Sequence, residues 1–173
     1  MFGASDTRLG SIINKSKEVG GLLRKAFLSV SPGFEKLVND ITEEWRRTAQ
    51  KTMRYGKIAY YNGYIRGLDG RPIMVASEHA LLVYLLQSDE AIMMSAAYCW
   101  LYKRLLKAGF KWGDDFTIVC FYHDEFTVEC KEELAPLVKR IGEECIADAG
   151  KFYKISCEHE GDGKIGKNWY DIH

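Results

Sequence analysis

The sequence lacks an excess of either charge. Lysine and arginine together number 24, and aspartate and glutamate together also number 24. A protein that attracts nucleic acid through its overall field needs a positive excess, so any such contact here must come from local clusters of cations. No apolar run reaches the length of a membrane span, and no signal peptide is recognisable. We therefore expect a cytoplasmic protein without a membrane partner.

Cysteine and histidine are too sparse and too scattered for a structural zinc site. The five cysteines include no Cys-x-x-Cys pair, and the four histidines do not cluster with them. A structural zinc site needs four such ligands at close spacing, and disulfides need an oxidising compartment. The simplest interpretation is a set of reduced thiols in a cytoplasm.

What the sequence does have is enough apolar surface for a folded body. Its 173 residues are 47% hydrophobic, which fits one domain or slightly more. Over residues 7–30 apolar side chains recur at helical spacing, and Gly20-Gly21 is expected to divide this stretch into two short helices. Ser31 and Pro32 then predict the N-cap and first turn of a helix that extends to about Gln50.

The middle of the chain changes from a strand pattern to a helix pattern. Tyrosines, isoleucines and glycines between Lys57 and Val75 predict strands and turns, and Asp69-Gly70 is a hairpin turn signal. From His79 to about Lys107 apolar residues repeat every three or four positions. They cover so wide an arc that this helix is expected to be largely buried.

The last third of the chain is predicted to hold a helix from Lys131 to about Gly150. Tyr153, Ile155 and Cys157 then alternate with polar residues, as in a strand. A turn is expected at residues 161–163, because two glycines flank an aspartate there.

Two residues near the end of the chain also carry expectations. Trp169 is expected to pack inward, as a large apolar side chain usually does. His173 is open to two interpretations, either as a neighbour of a functional site or as part of a mobile terminus. The sequence favours the mobile terminus.

The most informative stretch is Phe116–Cys130, in which two β-rich runs flank His123, Asp124 and Glu125. A tight hairpin with ionisable residues at its tip presents carboxylates from a rigid sheet, as a divalent-metal site requires. The alternative is a charged hairpin turn that simply faces solvent. The apolar residues expected to hold the tip in place are Ile118, Phe121, Phe126 and Val128.

Five landmarks occur in one order along the chain. They are Gly67-Leu68-Asp69-Gly70-Arg71, Ser77-Glu78-His79-Ala80, Leu85-Leu86-Gln87-Ser88, His123-Asp124-Glu125 and Asn168-Trp169. With this order and spacing the chain resembles the C-terminal part of family A DNA polymerases, the polymerase I family. It is most similar to the replicative polymerases of short-tailed bacteriophages. The resemblance extends over nearly the whole chain, but it corresponds only to the last portion of such a polymerase.

The resemblance implies a fold and an activity. The fold would be α+β, with the antiparallel sheet of a polymerase palm packed on helices. Residues 1–50 would form part of the helical fingers subdomain, and residues 51–173 would form the palm with its catalytic hairpin. The implied activity is that of a DNA-directed DNA polymerase, a nucleotidyltransferase of DNA replication, in the cytoplasm of a bacterial host if the chain is phage-encoded.

The resemblance also implies roles for the hairpin residues. Nucleotidyl transfer uses two magnesium ions about 3.5–4 Å apart, held mainly through oxygen ligands. Asp124 matches the hairpin aspartate that bridges these Mg²⁺ ions. Glu125 matches a carboxylate that supports the metals, and His123 matches a residue beside the primer terminus. Alternation along the strand puts His123 and Glu125 on the face opposite Asp124 unless the turn rotates them.

Other matches imply contacts with primer–template DNA. Gln87 and His79 match residues that reach the minor groove, where amide and imidazole donors can meet the acceptors that all base pairs display. Because they are eight residues apart, they are expected to project from nearly the same side of one helix. Arg71 is a candidate phosphate contact, and Phe2 would replace a tyrosine that stacks near the template base.

The implied partners are primer–template DNA, dNTP substrates and an upstream polymerase chain. In the family an Arg and a Lys grip the incoming triphosphate, and both would lie before Met1. The second bridging aspartate would also be upstream. We therefore expect either a naturally split enzyme that is active only with its upstream chain, or an engineered or truncated piece. The sequence departs from the family pattern at Val83, where asparagine is typical, and at Asp89-Glu90, where small residues are typical.

A rival interpretation is a non-catalytic DNA-binding or interaction subunit that retains the shape of a polymerase palm. His123-Asp124-Glu125 together with Gln87 favours the catalytic interpretation, because a non-catalytic module has no need of a metal ligand. An independent metal-dependent nuclease is disfavoured, because the sequence contains only one strong carboxylate cluster.

Overall fold

The computed structural model describes residues 4–173 and comprises two compact units, of which one ends at Ser88 and the other begins at Asp89. Within the described range the α-helices are α1 (Asp6–Ile12), α2 (Lys17–Val30), α3 (Pro32–Thr48), α4 (Leu81–Lys107), α5 (Ala135–Phe152) and α6 (Trp169–Ile172). The strands are β1 (Gln50–Arg54), β2 (Lys57–Tyr61), β3 (Gly63–Arg66), β4 (Pro72–Val75), β5 (Phe116–Tyr122) and β6 (Glu125–Cys130). Short 3₁₀ turns, Glu78–Ala80 and Glu132–Leu134, precede α4 and α5. This mixture of helices and small antiparallel sheets confirms the α+β class.

Helices α1 and α2 form a helical hairpin in the first unit, but the predicted division at Gly20-Gly21 is wrong. Both glycines lie inside α2. A Cβ at Gly20 would lie only 2.0 Å from the backbone oxygen of Asp6, so glycine is required for the close approach of the two helices. The chain breaks instead around Asn14, whose φ of 53° is a conformation that asparagine tolerates.

Helix α3 begins as predicted, with Ser31 at the N-cap and Pro32 in the first turn. Its buried Trp45 donates from Nε1 to the carbonyl oxygen of Val75 on β4 over 2.8 Å. A Cβ at Gly63 on β3 would lie 2.6 Å from the backbone oxygen of Trp45, so this strand packs directly on the helix. The buried core of the first unit comprises Ile41, Trp45, Ala49, Ile65, Val75, Leu81 and Leu82.

The strands of the described residues form three separate two-stranded antiparallel sheets. β3 and β4 join through the predicted turn, in which the N–H of Gly70 donates to the carbonyl oxygen of Gly67 over 2.8 Å. Strand β1 departs from the sequence analysis, which places no strand before Lys57. All five β1 residues are exposed, so no alternation of apolar side chains marks the strand in the sequence.

The core of the second unit lies between the β5–β6 hairpin and helices α4 and α5. Helix α4 follows the prediction, except that it begins at Leu81, after the 3₁₀ turn that contains His79. The buried core comprises Met93, Met94, Ala97, Leu101, Leu105, Phe116, Val138, Ile141, Cys145 and Ala149. Among residues 4–173, no helix is both long and apolar enough to cross a membrane.

The predicted strand through Tyr153, Ile155 and Cys157 is wrong, because the end of α5 turns the chain there. Lys154 adopts a φ of 56°, and the N–H of Ile155 donates back to the carbonyl oxygen of Gly150 over 3.1 Å. This arrangement closes the helix C-terminus and satisfies one of its last carbonyls. Ile155 still packs against the core, which explains its apolar character.

Residues 156–167 contain no helix or strand, and part of this segment lies against α5. The N–H of Gly163 donates to Oε1 of Glu143 over 3.0 Å. A Cβ at Gly161 would lie 2.9 Å from the Cα of Glu143, and a Cβ at Gly163 would lie 2.8 Å from the side chain of Lys139. The predicted turn at residues 161–163 is therefore wrong, because these glycines serve close contact with a helix.

Candidate functional site

The β5–β6 hairpin ends in a two-residue turn made by His123 and Asp124. Tyr122 pairs with Glu125 across the strands, which leaves only those two residues to connect them. His123 has a φ of 53°, a left-handed conformation that is uncommon for any residue other than glycine. A register shift near Val119 interrupts the pairing, and such bulges bend and twist a strand. The turn therefore holds His123 and Asp124 at the outer end of the hairpin.

The strands behind this turn are anchored on the core of the second unit. Ile118, Phe126 and Val128 all pack against that core, as predicted. A Cβ at Gly142 on α5 would lie 3.4 Å from the ring of Phe126, so the ring rests directly on the helix. Phe121 contacts the ring of Tyr98, with 5.1 Å between the ring centroids. The hairpin is thus supported by both long helices of its unit.

The carboxylate of Asp124 is available at the tip. The residue is exposed, and no hydrogen bond or ion pair within residues 4–173 involves its side chain. The neighbouring His123 is also exposed, and its ring contacts that of Tyr122 with 4.2 Å between the centroids. An unpaired carboxylate on a supported turn can bind a cation without first losing a protein partner.

The carboxylate of Glu125, by contrast, already has two partners. It accepts a hydrogen bond from Oγ1 of Thr127 over 3.1 Å. Its two oxygens also lie 3.0 and 3.2 Å from Nε2 of His173, the last residue of the chain. Glu125 is half-buried, so these contacts restrain its orientation. Glu125 is therefore restrained by contacts inside and outside the hairpin that Asp124 lacks.

His173 itself is held in place, so its interpretation as a mobile terminus is wrong. Its ring stacks on Trp169, with centroids 4.0 Å apart and planes 18° apart, and its Nδ1 lies 3.1 Å from the carbonyl oxygen of Trp169. The side chain of Asn168 caps the short α6 helix by accepting from the N–H of Asp171. Trp169 remains 57% exposed, so the expectation that it packs inward is also wrong.

Sequence reasoning weighed His173 as a neighbour of a functional site but favoured the mobile terminus, so it did not predict the contact with Glu125. The contact with Glu125 spans 48 positions, and no local pattern reports such a contact. One available signal was the polar Asn168, which is a good N-cap and so predicts a short ordered helix before the end of the chain.

The base of the hairpin is closed by a second feature that the sequence analysis missed. Asp115, just before β5, accepts hydrogen bonds from the ammonium of Lys131 and, over 2.8 Å, from the backbone N–H of Lys111. The hydrogen bond from Lys131 is the main cause that lowers the pKa of Asp115 below its ordinary value. The N–H of Lys131 also donates to the carbonyl oxygen of Asp115 over 3.1 Å. These contacts tie the start of β5 to the end of β6.

Three of the predicted DNA-contacting residues, Gln87, His79 and Arg71, lie in the first unit, whereas His123 lies at the hairpin tip of the second. Gln87 is exposed on α4, and His79 is exposed in the preceding 3₁₀ turn with its Nε2 3.4 Å from Oγ of Ser77. The assumption of one continuous α-helix through both residues is therefore wrong. Phe2 lies outside the described residues.

Arg71 already has a partner in its own turn. Its Nε donates to a carboxylate oxygen of Asp69 over 2.7 Å, and its backbone N–H donates to the same side chain. The hydrogen bond from the Arg71 side chain is the first cause that lowers the pKa of Asp69. Part of the Arg71 charge is thereby balanced within the β3–β4 turn.

The hairpin tip offers two carboxylates but not a complete set of metal ligands. No group of three or more His, Cys, Asp or Glu side chains within residues 4–173 is arranged to hold a metal ion. Asp124 and Glu125 nonetheless offer carboxylate oxygens, which are the hard ligands that magnesium prefers. Magnesium in phosphate-transfer sites commonly uses only one or two protein carboxylates, with water and substrate phosphates as the remaining ligands. The donor set therefore fits Mg²⁺ as one contributor to a shared site.

Three curated polymerases are similar to this chain, whereas no family model matches it. The DNA-directed DNA polymerase of Enterobacteria phage T3 is 32% identical over 176 residues, a match that covers 100% of this chain and 25% of that polymerase. The enzyme of Escherichia phage T7 gives the same 32% identity over 176 residues and the same coverage, 100% and 25%. That of Escherichia phage Phieco32 is 28% identical over 179 residues, covering 99% of this chain and 26% of the polymerase. The chain thus spans about a quarter of the length of these relatives.

A solved structure has a similar fold. It is the POL domain of Pol1 from M. smegmatis, in complex with DNA primer-template and dNTP. The similarity has a TM-score of 0.69 at 18% sequence identity, and it covers 86% of this chain and 25% of that chain. At this identity the likeness establishes the fold alone.

Proposed function

Because this chain is homologous to the DNA-directed DNA polymerases of phages T3 and T7, we propose that it forms part of the fingers and the palm of a family A DNA polymerase. The proposed reaction is templated nucleotidyl transfer from dNTPs to the primer of a primer–template DNA. The chain spans 25% of those relatives, so the activity is proposed for its assembly with upstream polymerase segments. The observation that carries the proposal is the exposed, unpaired carboxylate of Asp124 on a core-anchored hairpin.

Asp124 is the proposed metal ligand of this chain. A carboxylate at the end of a supported turn can bind magnesium with little reorganisation, because its strands already pack on two helices. Mg²⁺, when bound, would neutralise triphosphate charge and favour ionisation of the primer 3′ hydroxyl. The second bridging carboxylate is proposed to come from an upstream segment, since residues 4–173 contain no group of three suitable ligands.

Glu125 and His123 are proposed to assist Asp124 in different ways. Glu125 is bound by Thr127 and His173, so it is suited to fix the orientation of the turn rather than to bridge metals. His123 is exposed in the turn itself, where its imidazole can donate to a primer phosphate or sugar.

The proposed DNA contacts of the first unit follow from exposure and hydrogen-bonding capacity. Gln87 and His79 are both exposed donors, and minor-groove acceptors are common to all base pairs. Such contacts would test base-pair geometry without reading sequence. Arg71 is proposed as a weaker phosphate contact, because Asp69 balances part of its charge. Phe2 lies outside the described residues, so its contact with the template base stays a prediction of the family resemblance.

The test is an Asp124→Asn substitution, which removes the charge and nearly preserves the shape. We expect primer extension by the chain together with its upstream segment to fall by about 100-fold or more, because a lost metal ligand costs roughly 3 kcal/mol or more of transition-state stabilisation. Affinity for primer–template DNA and the melting temperature should change little. Asp114→Asn, which removes an exposed carboxylate near the start of β5, is the matched control.

Primer-extension measurements also distinguish the proposed polymerase from a non-catalytic DNA-binding subunit. Extension by Asp124→Asn at the unsubstituted rate would remove Asp124 from the metal site. A non-catalytic DNA-binding subunit is the second candidate, and it is favoured by the incomplete ligand set of the described residues. DNA binding without any extension, in the unsubstituted assembly under the same magnesium-containing conditions, would support that candidate.

A further inference from the structure

The β1–β2 hairpin is a cationic element that the proposed catalytic role does not use. Residues 50–61 contain three cations, Lys51, Arg54 and Lys57, and no carboxylate, although the whole chain has no net charge. Every residue from Gln50 to Ile58 is exposed. The hairpin is therefore a local positive patch in a chain that has no net charge.

The register of the hairpin puts its cations in an unfavourable arrangement. Arg54 pairs directly with Lys57 at the end of the two strands, and like charges in such positions repel. No ion pair within the described part of the chain involves either residue. By contrast, the neighbouring helix α3 pairs Lys36 with Asp40 and Arg47 with Glu43. The fold thus leaves the charge of the hairpin tip uncompensated.

The two faces of the hairpin differ in chemistry. Directly paired residues share a face, so one face carries Gln50, Thr52, Arg54, Lys57, Ala59 and Tyr61, here called the cationic face. On the other face Tyr60 packs against the core of the first unit, and Lys51 lies over the Tyr60 ring at 5.6 Å. The cationic face is therefore the one turned away from that core. Its neutral side chains include an amide and two hydroxyl groups, all of which can donate hydrogen bonds.

The turn of the hairpin provides a second, independent observation. Tyr55 and Gly56 connect the strands with φ values of 50° and 72°. The left-handed region is natural for glycine but unfavourable for a bulky residue such as tyrosine. Tyr55 is also fully exposed, so no packing contact explains its presence at a strained position. Asparagine would fit this turn better.

We propose that the cationic face and Tyr55 bind the phosphate backbone of duplex DNA. The proposal rests on the proposed polymerase function and adds a contact surface to it. Cations mixed with amide and hydroxyl donors are the side chains that contact DNA phosphates. A polyanion would also relieve the repulsion between Arg54 and Lys57, which an isolated hairpin cannot do. The strained Tyr55 places a phenol at the outermost point, where it can donate to a phosphate or contact a sugar.

The first test compares two double substitutions that remove the same charge. Arg54→Gln with Lys57→Gln removes the uncompensated pair, whereas Lys36→Gln with Arg47→Gln removes two cations that are each 77% exposed but ion-paired. Affinity of the full chain for a fluorescent 20-base-pair duplex is measured by anisotropy at several salt concentrations. We expect the hairpin variant to reduce the slope of log affinity against log salt by about 2, since each phosphate contact contributes about 0.9. The control should keep the original slope.

The second test uses Tyr55→Asn, which relieves the strain and removes the ring. We expect a higher melting temperature together with weaker DNA binding, by roughly three- to ten-fold, as one donor or stacking contact is lost. If Tyr55 had a purely structural role, Tyr55→Asn would instead lower the melting temperature.

Specific outcomes overturn the proposal. An unchanged salt slope in the hairpin variant, an equal loss in the control, or no DNA binding by the unsubstituted chain would each do so. A hairpin variant that loses affinity for a polyglutamate peptide but not for DNA would assign the surface to an acidic protein instead. The polymerase function is judged separately, because Asp124→Asn is scored by DNA synthesis. Hairpin variants should retain synthesis at saturating DNA concentrations.

Discussion

Two hairpins of this protein have the same construction and opposite chemistry. Both β1–β2 and β5–β6 are pairs of antiparallel strands joined by two residues, and in both the first turn residue has a positive φ. The β5–β6 hairpin places an unpaired carboxylate at its tip, whereas β1–β2 places unpaired cations there. The first suits a metal ion, and the second suits the phosphates of a nucleic acid.

The two hairpins also differ in their support. Ile118, Phe126 and Val128 fix β5–β6 on the core of the second unit. In β1–β2 the cross-strand pair of Met53 and Ile58 remains 67% and 59% exposed. A catalytic ligand must be held within a fraction of an ångström, but a phosphate contact can tolerate movement because charge attraction is long-ranged. The support of each hairpin thus matches the precision that its proposed role requires.

The largest expected effect comes from removing the support of β5–β6. Phe126→Ala should lower the free energy of unfolding by about 2–4 kcal/mol, because the half-buried ring rests on α5 and on the core. Ile58→Ala, on the exposed β1–β2 hairpin, should change it by less than about 0.5 kcal/mol. Urea denaturation of both variants checks the contrast. Equal losses would mean that the two hairpins are equally anchored.

A smaller effect is expected from the contact between His173 and Glu125. His173→Ala should slow primer extension by the assembled polymerase about three- to ten-fold, since a typical hydrogen bond contributes about 1 kcal/mol. Glu125→Gln should have a similar effect. If the two residues act through their mutual contact, the double variant should be no slower than the slower single variant. If the double variant slowed primer extension by the product of the two single effects, His173 and Glu125 would act independently.

The smallest effect concerns acid stability at the base of β5–β6. Lys131 holds the pKa of Asp115 below its ordinary value of 3.8, so the stabilisation is complete above that value. It should disappear as the pH falls through the lowered pKa, where Asp115 becomes protonated in the folded chain. Asp115→Asn should therefore reduce the fall in melting temperature between about pH 5 and pH 2, with Asp114→Asn as control. The β1–β2 hairpin has no carboxylate and should contribute nothing to this titration.

The sequence was sufficient to predict β5–β6, but it did not predict strand β1 of the β1–β2 hairpin. Apolar residues such as Ile118 and Phe126 alternate with polar ones when a strand packs one face on a core, and His123-Asp124 supplies a polar turn. Strand β1 packs neither face, so Lys51 and Met53 carry no periodic signal. The same periodic rule wrongly predicted a strand at Ile155, where one half-buried side chain follows a helix end.

The candidate site also contains features that a local sequence pattern predicts and others that only the folded chain reveals. The local setting of Asp124, a polar residue between strands, is visible over a few positions and made it a candidate, whereas its proposed role as a metal ligand rests on the family resemblance and stays a prediction. The contact between Glu125 and His173 could not be predicted, since only the folded chain brings these residues together. Gly20 illustrates the same limit, because a glycine that breaks a helix and a glycine that admits a neighbouring helix look identical in a sequence.

The close contacts between residues 156–167 and α5 have a consequence for evolutionary drift. Irregular segments usually accept substitutions and insertions freely, because their side chains face water. At Gly150, a Cβ would lie 2.8 Å from the ring of His159, and Gly161 and Gly163 leave equally little space against α5. Homologous polymerases that keep this packing should therefore vary less at these three positions than in many of their regular helices. An insertion between Gly161 and Gly163 would shift two contacts at once, so length changes should accumulate elsewhere in the chain.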